Sequence, residues 1–133
     1  MQGTGPFRYV AGQVLTPVTV TCRPDALSGD IREVLRSHPV CTVVNEDLVV
    51  QGRVRRTDLP AEDDVRVADF MQLGPATVQR REELSALVER MQDKGARTIL
   101  VTTPKGELLG LVDRGDAERF LARAPSPPDI SEG

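Results

Sequence analysis

The sequence predicts one α/β (α+β) domain of two β-α-β-β-α repeats, on the evidence of an internal repeat, alternating strand-like and helix-like apolar patterns, and an aliphatic composition. Residues 17–58 recur with changes as residues 75–116, an offset of 58 positions. The positions identical in both copies include Pro17, Thr19, Val20, Arg23, Val43, Gly52, Val54, Arg56 and Asp58. Such a period marks a supersecondary unit that buries its apolar face against its twin. We therefore expect a pseudo-two-fold axis and two related clefts.

The composition excludes several classes of protein. Of the 133 residues, 39% are hydrophobic but only 3% aromatic, so the core is aliphatic and rings for stacking on single-stranded nucleic acid are scarce. The net charge of −3 also argues against nucleic acid as the primary partner. No run approaches the roughly 20 apolar residues of a membrane span, and residues 1–7 lack a secretory signal, which predicts a cytoplasmic protein. Cys22 and Cys41 lack metal-ligand spacing, so we expect reduced cysteines and no metal site.

In the first repeat, residues 18–20 form a short β-like run. A helix is then predicted to open at Pro24-Asp25 and to end at residues 37–39, with an apolar stripe of Leu27, Ile31, Val34 and Leu35. Residues 40–44 and 48–54 read as a hairpin. A short helix near Asp58 closes the repeat, although Pro60 makes that segment a poor helix.

The second repeat follows the same order. A strand at residues 76–78 leads to a helix that ends at Lys94-Gly95, with a stripe of Leu84, Leu87, Val88 and Met91. Residues 98–101 and 107–112 flank a turn at 104–106, and residues 116–122 form a closing helix. We divide the chain into a flexible lead-in (1–7), repeat one (8–64), repeat two (65–122) and a disordered tail (123–133).

The element order, the period and the two Gly-x-Val-x-x-x-Asp strings resemble the cystathionine-β-synthase (CBS) domain family, in the tandem form called a Bateman module. The similarity covers residues 8–122, and its most specific segments are 67–71, 99–101 and 108–112. It implies a regulatory module with adenine-containing ligands bound between the repeats: AMP, ADP, ATP or S-adenosylmethionine. These would be regulatory ligands, with no obligatory cofactor.

The family pattern also implies site residues. It runs Gly, an apolar residue, any residue, Ser or Thr, two further residues and Asp; the Asp accepts hydrogen bonds from ribose, and the Ser or Thr donates to phosphate. Asp58 and Asp116 occupy the ribose position, whereas Arg55 and Asp113 replace the Ser or Thr. Arg97 falls where some family members place a phosphate-contacting arginine. The expected ligand-binding set is Asp58, Arg55, Gly52, Thr19, Asp116, Asp113, Gly110, Thr77 and Arg97.

The two departures have opposite electrostatic consequences. The Arg55 guanidinium complements phosphate, whereas the Asp113 carboxylate repels it. We therefore expect a phosphorylated adenylate in the cleft of Arg55 and Asp58. The Asp113 cleft should be empty or bind a ligand without phosphate, such as the sulfonium of S-adenosylmethionine, unless Arg97 outweighs Asp113.

Each of these residues also has a structural interpretation. Asp58 and Asp116 could cap helices, and Gly52 and Gly110 could permit close packing of a neighbouring backbone. Arg55 belongs to a basic run that could be a solvated face, and the two threonines are strand residues. Both interpretations stay open at the level of the sequence.

The sequence does not predict an enzyme, because it has one histidine and no motif that assembles a nucleophile and a base. Two functions remain: a nucleotide-sensing regulatory module that signals to a partner protein, or a ligand-independent dimerisation and interaction module with degenerate clefts. In either case we expect a homodimer, with an interface formed by the Leu27/Ile31 and Leu84/Val88 faces or by the terminal helices.

Overall fold

The computed structural model describes residues 8–124 and has a mixed α+β fold with two small sheets, as the sequence predicts. The predicted lead-in (1–7) and residues 125–133 of the predicted tail (123–133) lie outside the described residues. The tail prediction is wrong at Arg123, which belongs to the last helix. The strands are β1 Thr21–Cys22, β2 Val40–Val44, β3 Val50–Arg55, β4 Gln72–Leu73, β5 Thr77–Gln79, β6 Thr98–Thr102 and β7 Leu108–Asp113. The α-helices are α1 Ser28–Val34, α2 Leu84–Lys94 and α3 Arg114–Arg123, and 3-10 turns lie at Ala11–Val14, Arg56–Asp58 and Val67–Asp69.

Both sheets are built by the same rule. The first has the order β1-β2-β3-β4 and the second β5-β6-β7. In each, the first strand pairs parallel with the second and the second pairs antiparallel with the third. Thr21 lies beside Thr42 and Thr77 beside Leu100, so the registers correspond.

Each sheet and each core is completed by a segment from outside its own repeat. Strand β4, in the first part of the second repeat, pairs with β3 of the first repeat, and Thr16, in the first part of the first repeat, bridges to Leu111 of β7 in the second. Fully buried Ala11 belongs to the core beneath α2, and fully buried Val67 belongs to the core beneath α1. We call the segment with Ala11 and Thr16 and the segment with Val67 and β4 the crossed segments. They join the two repeats into one unit.

The pseudo-two-fold axis passes through the contact between the two hairpin turns. The Leu108 N–H donates to the Leu48 carbonyl at 2.9 Å, and the Val50 N–H donates to the Gly106 carbonyl at 3.0 Å. The offset of 58 exchanges these two hydrogen bonds, and Val49 and Glu107 form the bridge between them. The predicted pseudo-symmetry is thus visible in the backbone.

The offset is not constant along the repeat. The Ala68 N–H donates to the Pro24 carbonyl as the Gly12 N–H donates to the Arg80 carbonyl, which relates the two repeats by 56 positions before the helix. It is 58 after the helix, because α2 and its turn are two residues longer than α1 and its turn. The predicted strand at residues 18–20 is therefore wrong: the strand is Thr21–Cys22, and Thr21 rather than Thr19 corresponds to Thr77.

The helix boundaries depart from prediction for local reasons. Helix α1 begins at Ser28, because the Ala26 N–H donates to the Arg23 carbonyl and closes a turn where the helix was expected to open. The first repeat closes with a 3-10 turn, since Pro60 has no N–H and disfavours helical backbone at Leu59. Helix α2 ends at left-handed Gly95, with φ of 67°, as predicted.

Candidate ligand cleft

A cavity of about 350 Å³ lies between the two repeats at one end of the second sheet. Its walls come from β2, β3, the segment entering β5, α2 and the start of β6. The lining residues are Val40, Thr42, Arg53, Pro75, Ala76, Thr77, Val78, Leu87, Arg90, Met91, Lys94, Ala96, Thr98, Ile99 and Leu100. We call it the inter-repeat cleft.

The pseudo-symmetry places the central strands of both repeats at this cleft. Val40 and Thr42 of β2 correspond at the 58-residue offset to Thr98 and Leu100 of β6, and all four line it. Alternate residues of a strand point to the same face, so each strand contributes two neighbouring side chains. A ligand in the cleft would therefore touch both repeats.

Thr42 is the most informative residue of the cleft. It is only 5% exposed, and within residues 8–124 its hydroxyl has no hydrogen-bond partner. The fully buried Ser28, by contrast, donates to the Glu62 carbonyl at 2.6 Å and accepts from the Val65 N–H at 3.1 Å. Buried polar groups are nearly always hydrogen-bonded, so an unpartnered hydroxyl on a cavity wall indicates a partner that enters the cavity.

The cleft is electropositive. Arg53, Arg90 and Lys94 line it, and no lining residue is a carboxylate. Arg53 donates weakly to the Gln72 side chain at 3.3 Å, and Arg90 is paired with Glu82 at 2.8 Å. Lys94 has no ion pair in the described part of the chain. Arg53 and Lys94 are thus available to an anionic group.

Of the nine ligand-binding residues expected from the sequence, Thr77 is the one that lines this cleft. Arg55 and Asp58 lie together at the end of β3 and contact each other. The Asp58 carboxylate accepts the Arg55 backbone N–H at 2.8 Å and lies 3.6 Å from its guanidinium nitrogen. Thr19 is exposed and precedes β1.

Arg97, Asp113 and Asp116 also lie together, at the start of α3. Asp113 is the N-cap: its carboxylate accepts the Asp116 N–H at 3.0 Å and lies 3.4 Å from the Arg97 guanidinium. These two contacts, the hydrogen bond first, lower the pKa of Asp113 below its ordinary value of 3.8. Asp116 sits in the first turn of the helix and pairs with Arg119. The cap suggested for Asp116 is therefore supplied by Asp113 instead.

Gly52 and Gly110 have a packing role. A Cβ on Gly52 would lie 2.5 Å from the Gln72 carbonyl oxygen, and one on Gly110 would lie 2.9 Å from that of Thr16. Both distances are shorter than real Cβ contacts. Each glycine therefore lets a crossed segment approach the third strand of a sheet, as the structural interpretation of these residues expects.

The apolar faces assigned to a dimer interface are mostly inside the protein. Ile31, Leu84 and Val88 are 3%, 0% and 6% exposed because they form the cores beneath α1 and α2. That assignment is wrong for these three residues. Leu27 is 40% exposed, and Val34, about two helical turns further along the chain, is 37% exposed.

Cys22 and Cys41 are unpaired by disulfide and their thiols contact each other. The hydrogen bond to Cys41, together with burial, raises the pKa of Cys22 above its ordinary value. The Cys22 thiol therefore stays protonated at neutral pH and is a poor nucleophile.

Sequence reasoning missed Thr42, Arg53 and Lys94. A signal for the first was present: Thr42 is the sole hydroxyl in the buried run of β2, Val40–Val44. Arg53 lies in the same basic run as Arg55, but its place in the cleft depends on how the two sheets approach one another. Lys94 was used to predict the end of a helix.

Within residues 8–124, no helix has both the length and the apolarity to cross a membrane. No group of three or more His, Cys, Asp or Glu residues is arranged there to hold a metal ion.

Residues 67–123 match the family model of the CBS domain. The chain superposes on the CBS domains of a transcriptional regulator from Streptococcus pneumoniae with 19% identity and a TM-score of 0.71, covering 83% of this chain and 97% of that one. It superposes on CBSX2, a CBS-pair protein from Arabidopsis thaliana, in complex with AMP, with 22% identity and a TM-score of 0.72, covering 86% and 97%.

The cytosolic domain of the Mg²⁺ channel MgtE in complex with ATP is also similar, with 23% identity and a TM-score of 0.73, covering 84% of this chain and 48% of that one. The chain spans about half the length of this and of another magnesium-transporter chain that it matches. No curated protein sequence matches the chain.

The crossed strands, the pseudo-two-fold axis and the cleft between repeats define the fold of a CBS pair. The family model thus matches the second repeat, and the fold of both repeats is similar to that of CBS pairs.

Proposed function

We propose that the chain is a regulatory CBS pair that binds an adenine nucleotide or an adenosyl ligand in the inter-repeat cleft and signals to a partner protein. The observation that carries the proposal is the unpartnered hydroxyl of Thr42 on the wall of a cavity shared by both repeats. A volume of about 350 Å³ is within the range of small-molecule sites. CBSX2 bound to AMP and MgtE bound to ATP have the same fold, which supports this class of ligand.

The lining of the cleft suits the three parts of a nucleotide. Apolar walls such as Val40 and Ile99 can cover the faces of a base, and the threonine hydroxyls can hydrogen-bond to a base edge or to ribose. Arg53 and Lys94 can approach a phosphate, which a guanidinium binds as a fork and an ammonium as a point charge. The position of the cations favours a phosphorylated ligand over adenosine.

Regulation would follow from the position of the cleft. Because β2 and β6 belong to different repeats, a ligand between them stabilises the arrangement of the repeats that it fits best. A ligand can shift such an equilibrium only by its difference in affinity for the two arrangements. The partner protein would bind one of the two arrangements in preference to the other.

This site differs from the one expected from the family pattern, in which Arg55 and Asp58 bind phosphate and ribose. Titration calorimetry of the full chain with AMP, ADP, ATP, adenosine and S-adenosylmethionine would separate the two. If the inter-repeat cleft binds the ligand, Thr42→Val should weaken binding by about 0.5–1.5 kcal/mol and Arg53→Gln by about 1.5–3 kcal/mol. Asp58→Asn and Asp116→Asn would then have smaller effects.

The opposite result would return the ligand to the predicted clefts. Loss of adenylate binding in Asp58→Asn, with Thr42→Val and Arg53→Gln unchanged, would place it beside Arg55. Loss in Asp116→Asn alone would favour the Asp113 cleft. Thr42→Val should keep the fold intact, because valine is isosteric and the hydroxyl it removes has no partner within residues 8–124.

A second function is favoured by the ion pairs at the predicted clefts. Arg55 pairs with Asp58 and Arg97 pairs with Asp113, so the charges assigned to ligands are compensated within the chain. Such clefts suit a ligand-independent interaction module. Calorimetry that detected no binding by any of the five ligands would support this function over nucleotide sensing.

The homodimer also remains a proposal. Of the residues predicted for the interface, Leu27 at the N-cap of α1 is exposed, and Val34 at the end of the same helix is a second exposed apolar side chain. Light scattering of the full chain at micromolar concentration tests it: a mass near 14.5 kDa would exclude a dimer. If a dimer forms through α1, Leu27→Gln with Val34→Gln should dissociate it.

A further inference from the structure

A second cavity, of about 490 Å³, lies at the end of the second sheet opposite the inter-repeat cleft. It is formed by the turn after β5 and by the hairpin between β6 and β7. Its lining residues are Gln79, Arg80, Arg81, Thr102, Thr103, Pro104 and Leu109, none of which lines the inter-repeat cleft. Thr98 and Thr102 mark the two ends of β6, so the cavities are separated by roughly 13 Å of strand.

Two arginines are presented side by side at this cavity. The Glu82 N–H donates to the Gln79 carbonyl at 3.1 Å, which closes a turn with Arg80 and Arg81 at its centre. Neither guanidinium has an ion pair or hydrogen bond with any residue between 8 and 124, and no carboxylate lines the cavity. In contrast, Arg90 on the neighbouring helix is paired with Glu82. The cavity therefore carries two uncompensated positive charges in a chain whose net charge is −3.

A buried hydroxyl lies in the same cavity. Thr102 is 2% exposed, and its hydroxyl finds no hydrogen-bond partner among the described residues. The corresponding residue of the first repeat is Val44, which is also 2% exposed, so packing at this position does not need a hydroxyl. An unpartnered buried donor beside two free guanidinium groups indicates a ligand that carries acceptors.

The first repeat lacks this combination. At the 56-residue offset that holds before the helix, Pro24 and Asp25 occupy the positions of Arg80 and Arg81. With Val44 in place of Thr102, the first repeat has neither of the two arginines nor the buried hydroxyl, and it has a carboxylate at one of these three positions. The feature therefore belongs to the second repeat and is not a consequence of the shared fold.

We propose that this cavity binds a small phosphorylated molecule, with its phosphate held by Arg80, Arg81 and Thr102. Guanidinium forks match phosphate oxygens, and the threonine hydroxyl supplies a further donor. A volume of about 490 Å³ exceeds what one phosphate ion fills, and Pro104 and Leu109 give the remaining space an apolar wall. The ligand is therefore an organic phosphate, whose carbon part lies against that wall.

The test uses the full chain with inorganic phosphate, glycerol phosphate and, as a carboxylate probe, acetate, followed by amide chemical-shift mapping and titration. Glycerol phosphate should bind more tightly than inorganic phosphate, and the shifts should map to residues 79–82 and 102–109. Arg80→Gln with Arg81→Gln should weaken binding at least about tenfold. Thr102→Val should weaken it by roughly two- to tenfold without lowering the melting temperature.

Two control variants distinguish the planar donor geometry of the guanidinium groups from their positive charge. Arg80→Lys with Arg81→Lys keeps both charges but loses the planar donor geometry, so it should bind with intermediate affinity. Arg123→Gln removes an exposed arginine at the end of α3 and should change nothing. Added salt should weaken binding through screening.

The proposal is overturned if the double glutamine variant binds as the wild type does, if the shifts map elsewhere, or if no phosphate probe binds. Tighter binding of acetate would show a carboxylate site instead. Thr42→Val serves as the reciprocal control, because it should alter adenylate binding and leave the phosphate probes unaffected. Failure of nucleotide binding in the inter-repeat cleft would therefore leave this test intact.

Discussion

The two repeats share a strand framework but differ in their helices. Helix α1 has 7 residues and α2 has 11, and the first repeat closes with a 3-10 turn where the second closes with α3. The strands keep the same register in both copies. The difference shows that the sheets and the crossed segments define this fold, whereas the helices can vary in length.

The linker compensates for the shorter helix in the first repeat. Arg32 of α1 donates to the Pro60 carbonyl at 2.8 Å and pairs with Asp63 at 3.0 Å. Ser28 holds the same linker through two further hydrogen bonds. In the second repeat, α2 is instead covered by α3, with the Gln92 side chain bonded to Glu118. Helix α1 is thus stabilised by the linker, and α2 is stabilised by α3.

The largest expected effect comes from separating the repeats at the boundary that the sequence suggests. A fragment of residues 1–64 lacks Val67, which is fully buried in the first core, and also lacks β4. We expect it to show no cooperative thermal transition by circular dichroism. A fragment of residues 17–74 keeps both and should retain more native secondary structure.

The full chain is the reference for this comparison and should unfold in one transition. A cooperative, native-like melt of fragment 1–64 would show that the crossed segment is dispensable. If both fragments are equally unfolded, the contact between the hairpin turns, rather than the crossed segments, provides the coupling between repeats.

Alanine substitutions of Gly52 and Gly110 test the packing of the two crossed segments separately. Gly52→Ala and Gly110→Ala should each destabilise the protein by roughly 1–3 kcal/mol, because the new methyl group meets a backbone carbonyl. Gly52→Ala should cost more, since its contact distance is 2.5 Å against 2.9 Å. Urea unfolding measures both.

Loss of nucleotide binding in either glycine variant with unchanged stability would favour the ligand interpretation of these residues. Gly74→Ala is a suitable control for added bulk, since nothing lies within 4 Å of its Cβ position, although its φ of +63° adds backbone strain.

The sequence predicted most of the fold because the two copies reinforce each other. The apolar periodicity and the turn residues predict strands β2 and β6, the end of α2 at Gly95 and the pseudo-two-fold axis. The first strand was misplaced because a single offset was applied across two helices of unequal length. The local sequence pattern does not show where the offset changes from 56 to 58. The hydrogen bonds accepted by the Pro24 and Arg80 carbonyls do show it.

The candidate site was less predictable. Arg55 with Asp58 and Arg97 with Asp113 were named correctly as neighbours, but their mutual contacts could not be read from spacing alone. Thr42 stood unnoticed within a buried strand, because a hydroxyl in an apolar run becomes informative only once its missing hydrogen-bond partner is visible.

Alanine substitutions of Asp58 and Asp113 test how the last element of each repeat is stabilised. Asp113→Ala removes the N-cap of α3 and should cost about 0.5–2 kcal/mol near neutral pH. Asp58→Ala should cost less, because Asp58 holds only a three-residue turn. Denaturant unfolding at neutral and at acidic pH measures both effects.

The Asp113 effect should depend on pH in a defined direction. Its pKa in the folded protein lies below the ordinary 3.8, so its contribution is present above that value and is lost as the pH falls through the folded pKa. The wild type and Asp113→Ala should therefore converge in stability at acidic pH, below the folded pKa of Asp113. A difference that persists unchanged at that pH would mean that the carboxylate charge is not responsible.

The smallest expected effect concerns the two hairpin turns on the pseudo-two-fold axis. Leu48 and Gly106 are related by the 58-residue offset and both have positive φ, 66° and 88°. A leucine in the left-handed region is strained, and at 54% exposure its side chain gains little from packing. Leu48→Gly should therefore raise the free energy of unfolding by up to about 1 kcal/mol, the relief of strain exceeding the added entropy of the unfolded chain. Gly106→Ala should lower it, since its Cβ would lie 3.3 Å from the Val49 side chain. Urea unfolding of both variants measures the balance, and a loss of stability in Leu48→Gly would show that the leucine side chain contributes more at the junction of the repeats than its strain costs.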